Sequence, residues 1–237
     1  MARKAFKDSL WKLTNILFVG LFQLLTFYFL TKLLEPEKYG LFVLVMSTVA
    51  FLQLFAEFGI PASASKYLTE SIFNQSSPKD VVKASYVLSL FSGIITLLFC
   101  IIFSERIGEI LKNENLAPLL KIAAVLILLN NLLRITEELF KGVNEFKIPA
   151  LLNVITKPMN LVLIILLVLR GYALTGAIYA IIIGSAISCL AGIVLFFKNY
   201  YLNLKGKTVF FIKLKRIFIY SLPISLAGIS YYFYTRI

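Results

Sequence analysis

The sequence predicts an all-α polytopic membrane helix bundle with seven transmembrane helices. Two observations predict it. Apolar residues make up 59% of the 237 positions and charged residues only 15%, against about 25% charged in an ordinary soluble domain. The apolar residues also gather into seven long runs, each close to the roughly 20 residues that cross a bilayer core. Lipid offers no water to an open backbone, so each run is predicted as a helix that satisfies its own N–H and C=O groups. None shows the short alternating segments of an outer-membrane barrel.

The runs follow one another at close intervals. Span one, 11–30, is longer than a signal-peptide core and lacks a small-residue cleavage site, so it stays as a helix. Span two covers 41–58. Span three, 84–103, carries Ser85, Ser89 and Gly93 at four-residue spacing. Spans four and five cover 117–133 and 148–169. Span six, 173–197, places Gly176, Ala180, Gly184, Ser188 and Gly192 along one face, where a second helix backbone can approach closely. Span seven covers 217–234. The longest polar stretches, 104–121 and 198–216, are too short for a soluble catalytic domain, so the helices must carry the function and no enzyme is expected. The chain has no histidine, and Cys100 and Cys189 fall inside apolar runs. They read as small buried hydrophobes rather than a disulfide or metal site, and no cofactor or metal is expected.

The net charge of +12 would suit a nucleic-acid partner, but its distribution points elsewhere. Sixteen Lys and Arg fall on the side of the N-terminus and the even-numbered loops, and seven on the other. Cytoplasmic loops are the ones enriched in Lys and Arg. The N-terminus is therefore expected in the cytoplasm and the C-terminus outside, in a cell membrane, with lipid rather than nucleic acid as the partner.

Polar residues inside the runs are the candidates for function, because each costs free energy in lipid unless paired or wetted. Span five carries Asn153, Lys157 and Asn160, which lie within about 60° of one helical face. Lys157 is ten residues past Lys147, hence about 15 Å into the membrane. A lysine there costs about 2.5 kcal/mol or more, and Pro158 beside it frees a backbone carbonyl that also wants a partner. Two resolutions fit: a wet, positively charged cavity, or an ion pair with Glu57, read as the sole intramembrane carboxylate. In span one Asn15, Gln23 and Thr26 share a face, which fits a second candidate cavity wall and hydrogen bonding inside the bundle equally.

Four motifs carry a family resemblance. Leu33-Leu34-Glu35-Pro36-Glu37-Lys38-Tyr39-Gly40-Leu41-Phe42 follows span one, and Glu57-Phe58-Gly59-Ile60-Pro61-Ala62 with Lys66-Tyr67 follows span two. Phe140-Lys141-Gly142, Phe146-Lys147 and Ala150-Leu151-Leu152-Asn153 lead into span five, and Leu174-Thr175-Gly176-Ala177 opens span six. In order and spacing these resemble the polysaccharide (oligosaccharide-lipid) flippases of the multidrug/oligosaccharidyl-lipid/polysaccharide exporter superfamily. The resemblance implies two six-helix lobes, with residues 1–208 as the first lobe and 209–237 as the first helix of a second. A second lobe or second chain would then complete the transporter. It further implies movement of polyprenyl-pyrophosphate-linked oligosaccharide across the membrane. Lys157 would then attract the pyrophosphate, Asn153, Asn160, Asn15 and Gln23 would line the path, and Glu57, Arg134 and Lys147 would serve at a gate or the cytoplasmic face. A multidrug or cation antiporter of the same superfamily, or an inactive truncated remnant, are the alternatives.

Overall fold

A computed structural model describes residues 2–204 and 210–236. The boundary expected between residues 208 and 209, together with Lys205, Lys207 and Ile237, lies outside the described residues. Ten α-helices follow in order: α1 (Ala2–Leu33), α2 (Pro36–Glu57), α3 (Ile60–Phe73), α4 (Pro78–Ile102), α5 (Ser104–Ile110), α6 (Leu116–Ala123), α7 (Val125–Gly142), α8 (Lys147–Leu167), α9 (Ala173–Asn199) and α10 (Phe210–Arg236). There is no strand among the described residues.

Among the described residues five stretches are long and apolar enough to cross a membrane: Leu13–Leu33, Pro36–Phe73, Pro78–Ile102, Leu116–Gly142 and Lys147–Asn203. The last would exceed 80 Å as one helix, and it breaks at Gly171, whose φ of 90° turns the chain back between α8 and α9. The second bends where Phe58 and Gly59 are both left-handed, φ 44° and 69°. Pro61 dictates that break, because it has no N–H to return to the Glu57 carbonyl. With α2–α3 and α6–α7 each counted as one bent rod, seven long helical segments form an all-α membrane bundle, and α10 packs alongside α3 and α4.

Two apolar cores stack along the bundle axis. One gathers Leu30, Val45, Leu52, Leu120, Ile127, Ile164 and Ile178, and the other Ile60, Leu68, Val82, Ile135, Phe140 and Phe196. A polar layer lies between them. Asn131 Nδ2 donates to Ser89 O at 2.7 Å and to Ala56 O at 3.1 Å, and Ser92 Oγ donates to Ala56 O at 2.7 Å. Tyr86 and Thr136 share a hydrogen bond of 2.9 Å, and Thr156 bonds Ser188. Lipid is as apolar as leucine, so close packing and such hydrogen bonds must hold the helices together.

The small-residue faces supply the close packing. Ser85, Ser89 and Gly93 are buried on α4, and Gly93 faces Leu128 and Asn131. On α9 a Cβ at Gly192 would meet Leu152 at 3.3 Å, and one at Gly184 would overlap the Asn160 amide. Cys100 and Cys189 are buried and free, as read from the sequence.

Candidate functional site

α7 runs unbroken to Gly142, past the expected end of span four at Leu133. Hydropathy marks its last three turns as loop, because Arg134, Glu137, Glu138 and Lys141 are all charged. Their spacing of i, i+3, i+4 and i+7 instead lines them along one helical face. Lys141 Nζ donates to Glu138 Oε1 at 2.6 Å, and Arg134 Nη1 stands 3.8 Å from Glu137 Oε2. The Glu137 and Glu138 side chains are only 15% and 14% exposed. Glu57 is therefore not the sole carboxylate within the apolar stretches, which corrects the sequence reading. Glu57 and Lys157 form no ion pair. The paired charges of α7 offset one another, which is why a helix can carry four of them against its neighbours.

Two hollows meet at Arg134. The larger, about 370 Å³, lies between α1, α7 and α8 and is lined by Asn15, Arg134, Glu137, Lys141, Phe146 and Asn153, among others. Asn153 Nδ2 donates to Glu137 Oε1 at 3.3 Å across it, and the Asn15 Oδ1 atom is buried with no hydrogen-bond partner. The smaller, about 160 Å³, lies where α10 faces the α2–α3 bend, with Glu57, Arg134, Glu138 and Ser225 on its wall.

The structure thus brings Asn15, Asn153 and Arg134 together and sets Glu57 beyond Arg134 in the adjoining hollow. Lys157 follows Asn153 by one turn and sits beside Thr156, at the level of the polar layer. It is half-buried and forms no hydrogen bond or ion pair with a described residue. Asn160 is turned toward Gly184 of α9, with its Oδ1 buried and unpartnered, so it does not share the surroundings of Asn153. Gln23 is exposed on α1, and Lys147 is exposed at the first position of α8. Glu137, Glu138, Lys141 and Phe146 were missed from the sequence. The i, i+3, i+4, i+7 charge spacing was the signal available for the first three.

Far from these hollows, Lys121 Nζ donates to Glu105 Oε1 at 2.8 Å, and this ammonium holds the Glu105 carboxyl below its ordinary range. α10 is fixed to α3 near its start. Lys66 Nζ lies 3.7 Å from the centre of the Tyr220 ring, Arg216 pairs with Glu70 at 3.2 Å, and Tyr67 meets Tyr220 edge to face.

Residues 5–237 match the family described as polysaccharide biosynthesis protein. A putative O-antigen transporter of Escherichia coli (strain K12) is 30% identical over 95 residues, which is 40% of this chain and 22% of that protein. Among solved structures, a multidrug resistance MATE family transporter of the MOP superfamily, in an outward-facing conformation, aligns with a TM-score of 0.81 and 17% identity. That alignment covers 96% of this chain and 52% of the other. A MOP superfamily transporter from Pyrococcus furiosus Vc1 (DSM3638), reported to have a binding pocket of reversed polarity, aligns at 0.74 with 19% identity and covers 96% and 52%. The chain spans about half the length of these solved transporters, and the low identities speak for a shared fold. The family match reaches across nearly every helix described above, and with it the chain belongs to the polysaccharide biosynthesis protein family, as its four motifs suggested.

Proposed function

We propose that this chain is the N-terminal lobe, with the first helix of the second, of a membrane transporter that moves polyprenyl-pyrophosphate-linked oligosaccharide between leaflets. One observation carries the choice of an anionic lipid-linked substrate. Lys157 is a half-buried cation at mid-bundle depth with no carboxylate among the described residues to neutralise it, whereas Arg134 and Lys141 each have one. An uncompensated lysine at that depth is stabilised by an anion, and the diphosphate bridge of such a lipid supplies one. Asn153, one turn away, offers hydrogen bonds to the same ligand. α10 serves as the link to the other lobe, and the excess of basic residues supports a cytoplasmic N-terminus.

A second reading has its own support. The fold likeness to multidrug transporters, together with Glu57, Glu137 and Glu138 at the two hollows, fits a cation antiporter better than the sequence had suggested. Pairing argues against it at two of the three carboxylates, since Glu137 and Glu138 already hold cations.

The two readings separate in cells lacking their own lipid-linked oligosaccharide exporter. A transporter containing this lobe should restore surface glycan and leave efflux of cationic dyes unchanged. Dye efflux without restored glycan would establish the antiporter instead.

A further inference from the structure

The hollow between α1, α7 and α8 is polar, and each of the two cations on its wall faces a carboxylate of α7. Arg134 stands 3.8 Å from Glu137 and Lys141 2.6 Å from Glu138, so both cations already have a carboxylate partner. What remains is a wall of amides, a carboxylate and an aromatic ring: Asn15, Asn153, Glu137 and Phe146. Asn15 Oδ1 is a buried acceptor without a donor, on a residue of this hollow's wall. Glu137 accepts from Asn153 and keeps lone pairs to spare, because an ionised carboxylate has about four acceptor sites. The cavity of about 370 Å³ lies at the lower end of ligand pockets, which run from about 300 to 1,000 Å³.

We infer that this hollow is a subsite for a neutral sugar ring, whose hydroxyls donate to Asn15 Oδ1 and Glu137 and whose apolar face lies against Phe146. The inference rests on the transport reading above and divides its ligand in two. The sugar occupies the hollow, and the diphosphate lies one helical turn deeper beside Lys157. A hydroxyl suits both partners because it donates and accepts at once, whereas a phosphate only accepts and would face the Glu137 carboxylate.

The test is ligand-observed saturation-transfer NMR on the purified full chain in detergent, with neutral methyl hexosides and inorganic pyrophosphate as separate probes. Asn15→Leu should weaken hexoside binding about tenfold, the value of roughly one lost hydrogen bond, and Asn153→Leu should weaken it too, because Asn153 holds the Glu137 carboxylate in place. Glu137→Gln, which keeps the shape, should also weaken it and guards against a folding artefact. Ile183→Leu, on an exposed face of α9, should leave hexoside binding unchanged, and Lys157→Gln should abolish the pyrophosphate signal. Hexoside binding that is absent in the parent chain, or equal in all three hollow variants, overturns the sugar subsite. Loss of hexoside binding in Ile183→Leu overturns it as well, since the losses would then not be particular to the hollow. Absence of pyrophosphate binding with hexoside binding intact leaves the subsite standing and counts against the diphosphate reading alone.

Discussion

At Gly59 three constraints converge on one residue. Its φ of 69° lies where only glycine is at ease, and it follows Phe58, itself left-handed. A Cβ there would come within 2.6 Å of the Ser221 carbonyl of α10. Gly59→Ala should therefore cost about 1–3 kcal/mol of stability and loosen α10, seen as a lower unfolding temperature in detergent. Gly184 makes the same argument against a side chain rather than a backbone. Gly184→Leu should reduce folded protein more than Ile183→Leu, because position 184 faces Asn160 while Ile183 is 42% exposed. Equal unfolding temperatures for the two variants would remove the close packing of α8 on α9. Asn131, buried in the polar layer, is the third such residue. Asn131→Leu strips donors from the Ala56 and Ser89 carbonyls and should cost about 1–2 kcal/mol, in the upper range for hydrogen bonds between membrane helices.

Elements divide by what their sequences display. α4, α8 and α9 fall close to the expected spans, because uniform apolar runs bounded by Pro78, Phe146 and Gly171 leave little choice. α3 and the end of α7 escaped the reading for a common reason. Both are amphipathic, with polar residues that meet other helices: Glu70 of α3 reaches Arg216 of α10, and Glu137 of α7 reaches Asn153 of α8. Average hydropathy counts such residues as loop, while the periodicity of charge places them on a helix. The candidate site was legible in part by the same logic. Asn15 and Asn153 stood out as amides in apolar runs, and Glu137 was masked by the basic residues that neutralise it. The α3–α10 contact tests whether α10 is part of the same rigid body. A Tyr220→Leu exchange removes the ring under Lys66 and beside Tyr67. It should cost about 0.5–2 kcal/mol, and Lys66→Met in the same background should add little, as expected for coupled neighbours.

For the molecule as a whole, the helix order puts the turns at 74–77 and 143–146 on the side of the N-terminus, and those at 103–115 and 168–172 on the other. Cysteines introduced at Gln75 and Asn144 should be labelled from the cytoplasm, and those at Asn113 and Arg170 from outside. The reverse pattern would overturn the charge-based orientation. The central claim is that an uncompensated lysine at mid-bundle depth meets the anionic part of the substrate. Its most direct test is lipid-linked oligosaccharide export per folded molecule, in a transporter that contains this lobe. Lys157→Ala should lower export while leaving folded protein abundant, and Lys157→Arg should retain part of it, because the charge survives although the geometry changes. Unchanged export per folded molecule in Lys157→Ala would contradict the account.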